Sequence, residues 1–380
     1  MSKEIRVYSF SENDNKEFVD VIVSNTAKLA AAAAYKKYGR YGIIEKVEVE
    51  DYDKLNSEVK ESILTFAANK AGFETPKDST ALAFAFDNTV FKSITNTIIA
   101  KSVALMMVKY DCPQIEAFAD IETVGAGDSR TYEIDTKGLP QAQKATYESN
   151  VALVPSYAKG AVTVTPKPYV IGTSLDYIRI IGNDYDWGAE VARVYAGMLF
   201  AQYKLGVSKI FDSSILTGTP LYQTAFASNT YTQLADDIGM LNGGTGDSVT
   251  AYGTRVAFNA ISALATQGGF TTKDRYIENG YLQKIFGVDS VILEQFTNYA
   301  APFTSATATN LRAIPNDAIV LISNGTDKPV KIVRENYIRV IETDAKDNTA
   351  NRMEYTFFQN FDAAIATASH FGLQATAASL

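Results

Sequence analysis

One histidine and one cysteine stand in a chain of 380 residues, and that scarcity removes most familiar active-site chemistry at the outset. A zinc centre built from His and Cys would find only His370 and Cys112, too few ligands for the usual tetrahedral set. Cys112 has no second cysteine for an intrachain disulfide, which fits folding in a reducing cytoplasm. Its place before Pro113 reads as a small packed side chain, and His370, within ATASHFGL, as a histidine near a strand end rather than a general base. The glycine cluster NGGTGDSVT has no Gly-Lys-Ser/Thr after it and lacks dinucleotide spacing, so it reads as a plain loop. The acids Glu45, Glu48, Glu50, Asp51 and Asp53 lack the Asp-x-Asp-x-Asp-Gly order of a calcium loop and read as a solvated face. No apolar run approaches membrane-spanning length, because Lys101 and Ser102 interrupt Ile98–Val108. Met1–Phe10 mixes Lys3, Glu4 and Arg6 with strand-type residues and is no secretory signal. Basic charge is also short: a net charge of −8 argues against an electrostatic grip on nucleic acid. The expected set of catalytic, cofactor-binding and metal-binding residues is therefore empty.

What the chain does have is length enough for two or three compact units and an ordinary globular 46% of hydrophobic residues. Its most informative stretch is Asn183–Ser213. Trp187, Val191, Val194, Met198, Ala201 and Leu205 alternate steps of four and three, one stripe along a helix. Asn183 or Asp184 is the expected cap, with Asp184 and Asp186 beside the exposed amides. Uninterrupted by proline, such a helix would be roughly 35–40 Å long. Its only charges beyond the first turn are Glu190, Arg193, Lys204 and Lys209, so protein should cover most of its surface.

Before it, residues 1–75 read as a small unit of β-β-α-β-α order. Ile5–Phe10, Glu17–Val23 and Gly42–Glu50 alternate as strands. Asn25 caps TAKLAAAAAYKKY, and Ser57 opens a helix with Val59, Ile63, Phe66 and Lys70 on one side, closed at Gly72. ETPKDST, Glu74–Thr80, is the clearest linker, and Asn88–Val108 is helical. Then SRTYEID and AVTVTPKPYVIG read as two strands separated by roughly twenty-five polar residues, longer than ordinary loops. A two-stranded excursion of that kind cannot bury its own faces and needs a neighbouring molecule. Further on, Thr232–Leu241, Tyr252–Thr266 and a short Tyr281–Phe286 read as helices. Arg275–Glu278, Ser290–Glu294, Ala318–Ser323, Val330–Val333, Tyr337–Glu342, Arg352–Asn360 and Ala363–His370 read as strands, with a turn at Arg334–Asn336.

The succession GDSRTYEID, LPQAQKATYESN, VPSYAKGAVTVTPKPYVIGTSLDYIRII and NDYDWGAEVARVYAGMLFAQYKLGVSKIFD resembles the major capsid protein of tailed bacteriophages, the Hong Kong 97-type fold. The resemblance spans roughly residues 85–380 and lies in element order rather than invariant residues. It implies an α+β chain with a linker and N-arm helix over 76–124, an extended loop over 125–170 and a peripheral domain with its spine helix over 171–224. An axial domain over 225–325 and closing strands over 326–380 complete it, with the small N-terminal α+β domain, 1–75, added. It implies a structural protein, not an enzyme, that assembles as pentamers and hexamers into the icosahedral shell around a double-stranded DNA genome. Portal, scaffold or decoration proteins would be its partners, DNA would be contacted without specificity, no membrane would be involved, and the shell would form in the host cytoplasm. In that family a fused scaffold is usually a cleaved, charged coiled coil; residues 1–75 read instead as folded, so proteolysis there is not expected. Some members crosslink a loop lysine to a neighbour's asparagine; Lys137 and Lys144 lie in the matching element, with no partner singled out. Two other readings stand beside this one: an encapsulin-type cellular compartment, and an enzyme working through carboxylates such as Asp120, Glu122 or Asp135 at the hairpin base.

Overall fold

The computed structural model describes residues 13–38, 50–77, most of 81–109, 112–135, 159–176, 186–211, 248–258, 284–285, 288–295, 318–323, 327–343, 352–366 and 370–374, with a few single positions between. Its helices are α1 (Asn13–Tyr38), α2 (Tyr52–Ala71), α3 (Thr89–Lys109), the single turn α4 (Pro113–Glu116) and α5 (Trp187–Ile210). The strands are β1 (Ala119–Val124), β2 (Arg130–Asp135), β3 (Lys159–Val164), β4 (Lys167–Asp176), β5 (Val249–Gly253), β6 (Lys284–Ile285), β7 (Val288–Ile292), β8 (Ala318–Ser323), β9 (Val330–Thr343), β10 (Arg352–Ile365) and β11 (His370–Gln374). The fold is mixed α+β.

Helix α5 is the long helix expected within Asn183–Ser213. Asp186, in an extended conformation, accepts from the Ala189 amide at 2.9 Å, so the cap falls two or three residues later than Asn183 or Asp184. Trp187, Val191, Val194 and Met198 are buried, as are Tyr195, Leu199, Tyr203 and Val207 on the flanks of that stripe, while Ala201 and Leu205 are half-buried. Burial on so wide an arc means that the helix has protein on two sides. On one side lies a sheet of order β1-β9-β10-β4, with β1 parallel to β9 and the other pairs antiparallel. Gly206 allows the approach: a Cβ there would lie 2.8 Å from the Phe118 ring. In the buried layer Gln202 Nε2 on α5 donates to Gln359 Oε1 on β10 at 3.4 Å.

On the other side lie α1, α2 and α3. Val19, Ile22, Val23, Thr26, Ala27, Ala30, Ala31 and Ala34 follow helical spacing and are buried. Glu17–Val23, expected as a strand, is therefore the beginning of α1, because its short alternation also fits a helical period that continues into the alanine run. Asn25 lies inside that helix instead of capping one, and the alanine surface meets helices α5 and α3. Asp51, not Ser57, caps α2 by accepting from the Lys54 amide at 3.0 Å; Gly72, at φ 83°, ends it as expected. Of Gly42–Glu50, positions 47, 49 and 50 are not in a strand, and the remainder lies outside the described residues, as does Ile5–Phe10.

These helices do not form a separate α+β unit. Their apolar residues join α3, α5 and the β9–β10 sheet in one continuous core. The hydroxyl of Tyr52, the first residue of α2, donates to the same Asp186 oxygen that caps α5, at 2.6 Å. Helix α3 is capped by Asn88. Over Thr89–Met107 it is long and apolar enough by length and composition to cross a membrane, contrary to the reading of its sequence. Phe91, Ile94, Ile98, Val103 and Met106 are instead buried within this core.

A second sheet has the order β11-β8-β5-β7-β6. It corrects several expectations. Tyr252 belongs to strand β5, and a helical turn begins only at Arg255, after Thr254. Lys284 and Ile285, expected in a helix, pair with Asp289 and Val288. The strand expected at Ser290–Glu294 begins at Val288. Of Thr232–Leu241 only Ile238 and Gly239 are described, both helical, and Arg275–Glu278 lies outside. In the first sheet, Arg334–Asn336 is not a turn: β9 runs unbroken from Val330 to Thr343. Strand β10 likewise continues to Ile365, and His370 opens β11 opposite Ile322.

The seat of α2 and α1 on α5 is tight at Gly188, where a methyl would stand 2.6 Å from the Tyr52 hydroxyl and 2.7 Å from Leu29 Cγ. Gly188→Ala should destabilise the protein by about 1–3 kcal/mol in urea denaturation despite alanine's higher helix propensity. Unchanged or raised stability would show that the N-terminal helices do not bear on that turn.

Candidate functional site

The element with no counterpart in an ordinary core is the pair β2 and β3. They form a sheet of their own, antiparallel from Arg130 opposite Val164 to Asp135 opposite Lys159. This two-stranded arm leaves β1 through the turn Gly125–Asp128, closed by the Asp128 amide on the Gly125 carbonyl at 3.1 Å, with Gly127 at φ 82°. It returns through Thr165 and Pro166 directly into β4. Tyr132, Val162 and Val164 share one face by register; Val164 is buried and the other two half-buried. Thr131, Glu133, Ala161 and Thr163 share the opposite face and are exposed, the two threonine hydroxyls bonding across it at 2.9 Å. Residues 136–158, with Lys137 and Lys144, lie outside the described residues.

The base of the arm is charged, and two of its charged residues, Lys331 and Glu335, are buried. Lys331 on β9 has a side chain only 9% exposed, and its ammonium pairs with both Asp120 and Asp327. Burial disfavours the ammonium, but its hydrogen bonds to the two carboxylates outweigh that and raise its pKa. It also lies 5.9 Å from the centroid of the Tyr132 ring. Burial first, and then the Glu122 charge, push the Tyr132 phenol up. Glu122 itself pairs with Arg130 at 2.9 Å. Glu335, 6% exposed, accepts from the Gly127 amide at 3.0 Å through Oε1 and from Asn360 Nδ2 at 2.9 Å through Oε2. On β4, Lys167 pairs with Asp362 at 3.0 Å and Tyr169 stacks on Phe361 with centroids 4.0 Å apart.

No protein-family model and no curated protein matches the chain. Among solved structures it is similar to a phage-related protein of Bordetella bronchiseptica RB50, with 11% identity and a TM-score of 0.45 over 72% of this chain and 95% of that one. It is also similar to the capsid of a native GTA particle, with 13% identity and a TM-score of 0.44 over 70% and 90%. The mature capsid of bacteriophage PhiM1 gives 11% identity and a TM-score of 0.43 over 69% and 86%. Phage capsid structures thus stand among the matches, at an identity and TM-score that assign this chain neither activity nor partner.

The carboxylates named as a possible catalytic set do not converge. Asp120 and Glu122 each face a cation, Lys331 and Arg130, and Asp135 lies opposite Lys159 in the arm, with its side chain outside the described residues. The cavity beside β9, lined by Met107, Thr123, Arg334 and Gln359 among others, has about 10 Å³, room for one water at most. Cys112 is buried, and His370 is placed by its backbone alone, in β11. Among the described residues no group of three or more His, Cys, Asp or Glu side chains could hold a metal ion.

Arg334 and Glu335 went unnoticed in the sequence because polar residues between two apolar runs read as a turn, and Lys331, inside the expected strand Val330–Val333, was not singled out. A usable signal was present: Lys331, Val333 and Glu335 alternate on the face of β9 toward the arm. Lys331→Met would leave Asp120 and Asp327 without their shared cation. It should lower stability by about 1–3 kcal/mol, read from the urea midpoint. A midpoint equal to the parent's would mean that the charges contribute nothing to the base.

Proposed function

We propose that this chain is a capsid subunit that assembles into a closed shell through its two-stranded arm, in the manner the sequence resemblance implies. The observation that carries the reading is the arm itself. Two strands set apart from both larger sheets, with one face exposed, have too little of their own core to be stable without further support. An arm of that kind gains its missing contacts from a second copy, and repetition of one contact between identical subunits closes into symmetric clusters.

In this reading, 125–170 is the extended loop and 171–224 the peripheral domain, with α5 as its spine. Residues 225–325 then make the axial domain around β5 and β7, and 326–380 return through both. Pentamers and hexamers close an icosahedral shell around double-stranded DNA, which the acidic chain holds without sequence preference. Assembly takes place in the host cytoplasm, with portal, scaffold or decoration proteins as further partners. The subunit carries no catalytic function. Helices α1 and α2 belong to the body of the subunit, because they complete the core around α5; this replaces the expectation of an appended domain.

Deleting Gln141–Pro155 tests the proposal. The shortened chain should remain soluble and folded by circular dichroism but form no particles by light scattering. Normal particle formation by the deletion variant would remove the arm from assembly.

A further inference from the structure

We infer that Glu335 is a latch that fixes the direction of the two-stranded arm relative to the body of the subunit. The arm has two covalent roots of unequal strength. The return root enters β4, which pairs with β10 from Lys167 to Asp176, so that side is anchored in the sheet. The outgoing root leaves β1, which pairs with β9 as far as Val124, through the longer turn Gly125–Asp128, with Gly127 in the left-handed region. Strand β9 has a bulge at this point. Arg334 pairs with Phe361 and Ile338 with Gln359, so Glu335, Asn336 and Tyr337 stand against Asn360 alone. Bulges re-aim side chains, and this one turns Glu335 onto the arm's root. One carboxylate oxygen takes the Gly127 amide and the other takes Asn360, the lone residue opposite the bulge.

A carboxylate that is 6% exposed requires partners for its oxygens. Swinging the turn away would leave the buried Oε1 of Glu335 without the Gly127 amide, while Oε2 keeps Asn360, so the latched position is preferred. The other link at this root is weaker: the Glu122–Arg130 pair has side chains 37% and 57% exposed and is screened by solvent. A device of this kind holds the arm in one direction in the isolated subunit and can release it as a unit. It concerns the arm's attachment alone and stands whether or not the chain forms shells.

Hydrogen exchange on the full-length chain tests it, with peptides covering Val124–Ile134 compared with peptides of α5. Glu335→Ala should speed exchange at Gly127 and along β2 by about tenfold or more, as loss of a charge-assisted hydrogen bond implies. The α5 peptides should stay at parent rates. Glu335→Gln keeps a carbonyl acceptor for the Gly127 amide and should restore rates to within about threefold of the parent. Asn360→Ala, which leaves Glu335 in place, should give a smaller acceleration in the same peptides. Unchanged exchange at Gly127 and β2 in Glu335→Ala would overturn the assignment. So would equal acceleration in α5 for both the Glu335→Ala and Asn360→Ala variants, since that is a loss of global stability.

Discussion

Helix α5 has apolar side chains on nearly every side, and a helix of that kind must be enclosed. Trp187, Tyr195, Met198 and Val207 have to be covered at once, and neither the sheet nor the N-terminal helices can do it alone. The sheet reaches the helix through Gly206 and the helical layer through Gly188, two positions where a side chain would hold the neighbours apart. Asp186 ties the layers together chemically, its one oxygen serving both the first amides of α5 and the hydroxyl of Tyr52. The N-terminal residues are bound into the body for this reason and not by any covalent feature.

With the helix on one face of the β1-β9-β10-β4 sheet, the other face is left to carry the arm. Charges appear there because the arm's half-buried face is too small to hold it by apolar contact alone. Lys331 lies beneath Tyr132, Glu335 reaches the outgoing turn, and Lys167 and Asp362 sit where the arm re-enters the sheet. The buried charges of Lys331 and Glu335 each have partners, as burial demands. The result is an arm fixed at its root and open along one face.

Legibility in the sequence followed the length over which a pattern repeats. The stripe of α5 persists for about five turns, so its existence and its buried face were readable, with only the cap displaced to Asp186. The arm was readable in part: alternating runs flank a long polar stretch, but AVTVTPKPYVIG, read as one strand, is β3 and β4 in two different sheets, divided at Thr165 and Pro166. Glu17–Val23 was misread because seven residues cannot separate a period of two from one of 3.6, and the alanines that settle the matter follow it. Strand β9 was divided in two because Arg334 and Glu335 look solvent-exposed. Their partners, Thr123 and Gly127, are 211 and 208 residues away, and no local pattern reports such a pairing. The pairings across the base of the arm were therefore the part of the site that sequence did not reveal.

The central claim is that the arm is completed by other copies of the same chain. Negative-stain electron microscopy of the purified full-length protein addresses it most directly. The account predicts closed particles of uniform diameter, with five-fold and six-fold clusters in class averages. Folded monomers alone, at every concentration and ionic strength tested, would contradict it.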